Sequence, residues 1–287
     1  MSAADNPKAS IIICTVDRPQ QLAACVAALL QQQGAFEIIV IDQSTLPTIT
    51  FDDKRIMHLR SSRKGLSHAR NVGCRHARGD IVSFIDDDAV PDQAFVTELL
   101  RIFEQSDIDA VAGRILVQGV DKPYSRTQSS ESRFLRMRDW GCVLGGNLAF
   151  KRSVAEDVGL FDESFGAGTK WASAEETDLF LRMIYKGQKV YYASSLVVFH
   201  PLEAFGHSDA SLACKLFNYG KGMGALFAKH CLIFHNYIAV LFFLLSLLKP
   251  TVRMVQFLLT GKPLKFKLYM NIMLGRVIGF KEFYMSK

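Results

Sequence analysis

The chain lacks several features that define common protein classes. Its six cysteines (Cys14, Cys25, Cys74, Cys142, Cys214 and Cys231) form no C-x-x-C pair and no dense cluster. That excludes a disulfide framework or zinc ribbon and leaves them as small hydrophobes in a reducing compartment. Met1 to Ser10 has no basic stretch followed by an apolar one, so no secretory signal is expected and the bulk of the chain is placed in the cytosol. There is no Gly-X-Y period, no internal repeat and no long low-complexity segment. Acid is scarce at one end. From Lys249 to Lys287 there are eight basic residues and one acidic, Glu282, whereas residues 1–248 carry 26 basic and 27 acidic. The overall charge of +6 therefore belongs to the tail. A nearly neutral body argues against nucleic acid as a partner, and a basic tail argues for something anionic.

What is present is a core. A hydrophobic share of 49% over 287 residues fills one large domain or two small ones, at ~100–200 residues per domain. Apolar runs at Ser10–Cys14, Phe36–Ile41, Arg55–Leu59, Ile81–Ile85 and from Ala110 read as strands. Gln20 to Gln32 (opened by Pro19), Gly65 to Ala77 and Pro91 to about Gln105 read as helices. Further on, Asp121 to Asp139 reads as a long polar connection, and Cys142 to Phe150 as a strand containing Gly145-Gly146. Ser153–Val158 and Ala174–Lys186 read as helices, and Val190–Tyr192 and Val197–Phe199 as two short strands. This alternation predicts an α/β fold, a mostly parallel twisted sheet flanked by helices, with its ligand site at the carboxyl ends of the strands. Thr15, Asp17, Asp42 and the run Asp86-Asp87-Asp88 all fall at such ends.

Three adjacent carboxylates repel one another, so a cation or a task has to hold them together. Their hard oxygens suit Mg²⁺ or Mn²⁺ completed by substrate phosphate. The alternative is a solvated acidic turn ahead of the Pro91 helix. Alternation along the chain sets Asp86 and Asp88 on one side and Asp87 on the other. A second acidic run, Glu175-Glu176-Thr177-Asp178, opens a helix, where acids are ordinary dipole chemistry. Its interest lies in the combination, because metal-assisted transfer needs a separate carboxylate as base. No Ser-His-Asp or Cys-His constellation is evident.

Seven stretches occur in a telling order: Ser10-Ile-Ile-Ile-Cys-Thr-Val-Asp-Arg18, Ile39-Val-Ile-Asp-Gln-Ser44, Lys64-Gly-Leu-Ser-His-Ala-Arg-Asn-Val-Gly73, Gly79-Asp-Ile-Val-Ser-Phe-Ile-Asp-Asp-Asp88, Gly145-Gly-Asn147, Gly159-Leu-Phe-Asp-Glu163 and Glu175-Glu-Thr-Asp-Leu179. Each is weak alone; the ordered set, over residues 9 to about 200, resembles the family-two inverting glycosyltransferases of GT-A fold. The resemblance implies that Thr15, Asp17 and Asp42 hold the base and ribose of a nucleoside-diphosphate sugar, a UDP-sugar foremost, with Arg70 nearby. It implies Asp86 on the ribose or diphosphate side, Asp88 as ligand of Mg²⁺ or Mn²⁺, and His200 beside that metal. It also implies Glu176 as catalytic base, with Glu175 and Asp178 as the alternatives on the same helix, and Gly145, Gly146 and Asn147 against the transferred sugar. The chain departs from the family pattern at Cys14, where Pro is usual, at Asp17, where Asn is usual, at Ala89, where a third acid is usual, and at Glu176, where Asp is usual. A non-catalytic nucleotide-sugar-binding or assembly subunit of the same fold is the second reading. A nucleotidyltransferase is a weaker third, since no Gly-rich phosphate loop with a basic signature is present.

Tyr237 to Leu248 is twelve residues without a charge, short of the roughly 20 that a span needs. A single span would also leave the basic tail on the far side, against the positive-inside tendency. The expectation is a monotopic apolar helix followed by an amphipathic basic segment from Lys262 to Lys281, bound to anionic lipid on the cytoplasmic face of the inner or plasma membrane. A buried core or dimer helix is the alternative. The expected division is 1–120 for nucleotide-sugar binding, 121–210 for a lipid-linked or glycan acceptor, and 211–287 for the membrane-associating tail.

Overall fold

The computed structural model describes residues 6–45, 49–105, 107–120, 122–201 and 209–287. They fall into two units, Met1–Asp162 with Glu176–Leu202, and Glu163–Glu175 with Glu203–Lys287.

In the first unit, the β-branched run Ala9–Thr15 forms β1 and is buried almost throughout. α1 (Pro19–Leu30) begins on its proline, where a missing N–H costs nothing, and buries Leu22, Cys25, Val26 and Leu29 at helical spacing. β2 (Phe36–Asp42), β3 (Ile56–Arg60), α2 (Leu66–His76) and β4 (Ile81–Asp86) continue the alternation. Then come β5 (Val90–Pro91), α3 (Phe95–Phe103), β6 (Ala110–Val117), β7 (Arg133–Phe134) and a 3₁₀ turn, Met137–Cys142. β8 (Asn147–Lys151), α4 (Arg152–Val158), α5 (Glu175–Tyr185) and β9 (Val190–His200) complete it, the first residue of α5 belonging to the second unit.

The strand order is β3-β2-β1-β4-β8-β6-β9-β5, with β7 also on β9. β3, β2, β1 and β4 are mutually parallel. β8 runs antiparallel to both β4 and β6, and β9 is parallel to β6. The sheet is thus mixed, but β1, β2, β4, β6 and β9 share one direction. Their carboxyl ends and the amino end of β8 meet on the same edge. This brings Thr15, Asp42, Asp86, His200 and Asn147 to one side of the molecule.

Three local expectations change. Pro91 does not open a helix. Lacking an N–H, it suits the edge strand β5, paired with Val198 of β9. The Asp92 carboxylate then accepts the Ala94 N–H at 3.0 Å, and α3 starts at Phe95. Gly145-Gly146 sit in the turn before β8, not inside it. The two short strands near 190 and 197 are one strand, β9, bulged so that Ala193 and Val197 face the consecutive residues Gly113 and Arg114. All six cysteines are unpaired, and burial pushes the Cys14 thiol up to about 12 even against the lowering charge of Arg70.

The second unit holds α6 (Asp209–Leu232), α7 (Ile238–Leu259) and α8 (Pro263–Met285). α6 and α8 cross at backbone contact. A Cβ on Gly224 would lie 2.0 Å from the Arg276 carbonyl, and one on Gly279 2.0 Å from that of Lys221. Phe243 of α7 stacks on Phe280 of α8 at 4.3 Å. α7 runs eleven residues past the charge-free stretch and carries Pro250 inside it, buried. On α8 Lys265 and Lys267 lie near the start and Lys281 near the end, while half-buried Arg276 sits between the exposed Leu274 and Val277. The expected amphipathic stripe is therefore interrupted where Gly275 and Gly279 turn to α6.

Candidate active site

The Asp86-Asp87-Asp88 run is held by cations of the protein itself. Asp87 is buried: it accepts the Thr15 hydroxyl at 2.6 Å and Arg18 Nη1 at 3.0 Å. The same Arg18 nitrogen reaches Asp88 Oδ2 at 3.1 Å. The other Asp88 oxygen lies 3.0 Å from His200 Nε2, which is also 3.8 Å from Asp86 Oδ2. Asp86 Oδ1 in turn faces Arg70 at 3.7 Å. Asp86 and Asp88 thus share His200, while Asp87 turns to Thr15, as alternation along the chain requires.

The charges tune one another. Burial raises the Asp86 carboxyl against Arg70 and His200, and raises Asp87 against Thr15 and Arg18. Burial also opposes ionisation of Asp88, but His200 and Arg18 outweigh it and hold that carboxyl below its usual range. His200 shows the same contest: burial disfavours its imidazolium, yet Asp88, the Pro201 carbonyl and Asp86 carry its pKa up to about 9. The three aspartates thus stand against Arg18, Arg70 and His200.

The neighbouring loops are built around these groups. Arg70 is buried on α2 with its guanidinium over Phe84 and Phe161, at 5.7 and 5.4 Å. A Cβ on Gly145 would come within 2.6 Å of that guanidinium, and one on Gly146 within 2.3 Å of Asp86 Oδ2. The glycine pair is needed for this approach. Asn147 spends its amide nitrogen on the carbonyls of Arg114 and Leu196, at 3.0 and 2.9 Å; its buried Oδ1 accepts no hydrogen bond among the described residues. Asn71 pairs with both backbone groups of Phe161 and so fixes the loop that follows α4.

Asp42 is wholly buried at the end of β2, accepting the Ser44 N–H at 2.8 Å and facing His58 Nε2 at 3.2 Å. Asp17, at φ 54°, donates its N–H to the Ser44 hydroxyl and accepts the Thr45 N–H. Gln43 and Lys64 bond across to each other's loops, Gln43 to the Arg63 carbonyl and Lys64 to the Gln43 carbonyl. Thr15, Asp17 and Asp42 are therefore knit into one rim through the loops after β1 and β2.

Of the acids on α5, Asp178 is fully buried and paired with Arg182 at 2.9 Å. Arg182 also donates to the carbonyls of Val158, Gly159 and Leu160. That ion pair is structural, which removes Asp178 from the choice of base. Glu175 is buried and Glu176 half-buried, immediately after Ala174 at φ 75°.

Among the described residues no three His, Cys, Asp or Glu side chains are assembled into a metal cage. Asp88 and Asp86 offer one face of hard oxygens, and cations already stand against them. That fits a Mg²⁺ or Mn²⁺ site of one or two carboxylates finished by phosphate oxygens, and does not fit an all-protein site.

The family model described as Glycosyl transferase family 2 matches residues 10–159, more than half of the chain. The chain belongs to glycosyl transferase family 2. The transferase is 28% identical over 217 residues to a glucosyl-dolichyl phosphate glucuronosyltransferase of Haloferax volcanii, covering 68% of this chain and 69% of the relative. It is 30% identical over 185 residues to a pre-mycofactocin glycosyltransferase of Mycobacterium tuberculosis, covering 58% of this chain but 38% of that protein. Among solved structures it superposes on the mannosyltransferase PcManGT of Pyrobaculum calidifontis, determined with GDP-Man and Mn²⁺, with a TM-score of 0.61 at 16% identity. That match covers 96% of the transferase and 88% of PcManGT. S. aureus TarS 1-349 with UDP-GlcNAc gives 0.59 at 16% identity, covering 78% and 67%. These likenesses agree with the GT-A fold expected from the sequence.

Proposed function

We propose that this glycosyltransferase moves a sugar from a nucleoside-diphosphate sugar, a UDP-sugar foremost, to a hydroxyl of a lipid-linked or glycan acceptor, with inversion and with Mg²⁺ or Mn²⁺. The observation that carries the reading is the set of opposed groups at the sheet edge, Asp86, Asp87 and Asp88 against Arg18, Arg70 and His200. It is built to exchange partners with a charged ligand. Asp88, with Asp86 and His200 beside it, is the group that would hold the metal. When bound, the metal supplies Lewis-acid stabilisation of the charge developing on the departing diphosphate. Thr15, Asp17 and Asp42 line the rim assigned to base and ribose, and Arg70 offers a fixed cation next to Asp86. The turn Gly145-Gly146, with the open acceptor Oδ1 of Asn147, is assigned to the transferred sugar. Glu176, the less buried of the two glutamates on α5, takes the proton of the attacking hydroxyl; a single displacement inverts the anomeric carbon. Transfer and UDP release measured over a donor panel test the reading. Glu176→Gln is expected to keep donor binding while transfer falls by roughly 10²-fold or more, the scale of general-base catalysis. The same pattern in Glu175→Gln, with Glu176→Gln active, would move the base by one residue. A wild type that binds donor but transfers nothing across sugars and acceptors would favour the non-catalytic subunit.

The C-terminal unit supports membrane association of the enzyme, peripheral or monotopic, on the cytoplasmic face. α7 is long and apolar enough to cross a membrane by length and composition, and little of it is buried. At 1.5 Å per residue it is about 33 Å long, but Lys249 stands at its midpoint. A charge at the bilayer centre costs ~2.5–3.5 kcal/mol or more, which favours a helix lying along the interface. Lys262, Lys265 and Lys267, exposed at the α7–α8 turn, suit an anionic lipid surface. A resemblance to an enzyme named for a dolichyl phosphate acceptor accords with a lipid-linked substrate.

A further inference from the structure

We infer that Arg18 is a resident counter-cation of the donor site. In the protein without donor it occupies the Asp88 carboxylate, and it yields that carboxylate when metal and diphosphate arrive together. This rests on the metal-dependent reading of the site given above, and it adds the order in which the site loads.

The geometry separates the two cations that stand on Asp88. His200 covers Oδ1 at 3.0 Å, is itself 8% exposed and is tied by Nδ1 to the Pro201 carbonyl at 2.8 Å. It has no freedom to leave. Arg18 covers Oδ2 at 3.1 Å and Asp87 at 3.0 Å, but its side chain is 51% exposed while those two carboxylates are 16% and 6% exposed. It lies between the acids and solvent on a flexible stem, so it is the displaceable partner. Asp87 keeps the Thr15 hydroxyl when Arg18 moves.

Charge decides what can displace it. Arg18 is a permanent cation standing on Asp88 Oδ2, so a divalent ion entering alone meets a guanidinium already on its ligand. A metal bound to a doubly charged diphosphate brings no net charge. The released guanidinium, planar and rich in donors, then pairs with phosphate oxygens. Free metal should therefore bind weakly and metal with nucleotide strongly.

The test is a calorimetric titration of the full-length chain with Mn²⁺ alone, then with UDP in the presence and absence of Mn²⁺, for wild type, Arg18→Gln and Arg18→Lys. Removing the charge in Arg18→Gln is expected to tighten Mn²⁺ binding without nucleotide by roughly tenfold or more, and to weaken UDP binding in saturating Mn²⁺. Arg18→Lys, which keeps the charge, is expected to bind Mn²⁺ alone as weakly as wild type. An arginine that only neutralised the acids would leave UDP binding in saturating Mn²⁺ unchanged when removed, and that result would overturn its transfer to the diphosphate. Unchanged or weaker Mn²⁺ binding in Arg18→Gln, in a protein whose wild type binds UDP with Mn²⁺, would overturn the counter-cation role alone. Wild-type UDP affinity that is the same with and without Mn²⁺ would overturn the metal reading beneath it as well.

Discussion

At the carboxyl edge of the sheet, each of three carboxylates has a cation within 3.8 Å. On α7, by contrast, Leu241, Leu248, Val252 and Leu259 stand 53–81% exposed. The edge sets its charged groups against one another and leaves the buried Asn147 Oδ1 without a hydrogen bond among the described residues. The helical unit spends its close packing on the α6–α8 glycine crossing and leaves a broad apolar surface outside. An ion pair closed by a half-exposed arginine, as Arg18 closes Asp88, is one that a charged ligand can replace. Apolar surface left bare implies a partner that removes it from water. The same chain thus meets its charge from within at one region and leaves apolar surface uncovered at the other.

The largest expected effect tests how far the paired side depends on pairing. Asp178→Ala leaves Arg182 charged and buried, and should destabilise the protein by about 3–5 kcal/mol, the cost of breaking a buried pair. Urea unfolding measures it, and a loss below ~1 kcal/mol would make the pairing on this side incidental.

The second prediction concerns pH. The His200 pKa is raised from 6.5 to about 9, so its stabilisation is fully present below pH 6.5 and is lost as pH rises through about 9. In metal-free buffer, wild type should lose on the order of 3 kcal/mol relative to His200→Gln between those limits. Parallel stability profiles for the two proteins would remove the His200–Asp88 pair from the account.

The third effect, the smallest per group, belongs to the helical side. Replacing Lys262, Lys265 and Lys267 with Gln should weaken binding to anionic vesicles by ~1 kcal/mol per charge, and high salt should weaken the wild type similarly. Vesicle sedimentation is the measurement. A wild type that ignores anionic vesicles would assign the bare α7 surface to a protein partner and make the two regions less different than they look.

Much of the first unit was legible because its strands are β-branched runs ending in polar residues. The edge is legible from Thr15, Asp42 and Asp86, each at the end of its strand. What escaped depends on contacts distant in sequence. Arg18 meets Asp87 and Asp88 across 69 and 70 residues, and nothing local marks it as their counter-ion. His58 against Asp42 is legible only once β3 lies parallel to β2. The Pro91 start failed because a proline suits an edge strand as well as a first helical turn, and pairing with β9 decided between them. β9 was split because Ser194 and Ser195, which interrupt its apolar pattern, are bulge residues. On α5 the pattern offered three acids. The burial of Asp178 against Arg182 left two, a distinction that charge patterning does not carry.

The central claim is that the carboxyl edge is a metal-assisted donor site centred on Asp88. Calorimetric titration of UDP with Mn²⁺ into wild type and Asp88→Asn tests it most directly. The account predicts metal-dependent UDP binding in the wild type that is abolished in the variant. Equal affinity in the two proteins would contradict it.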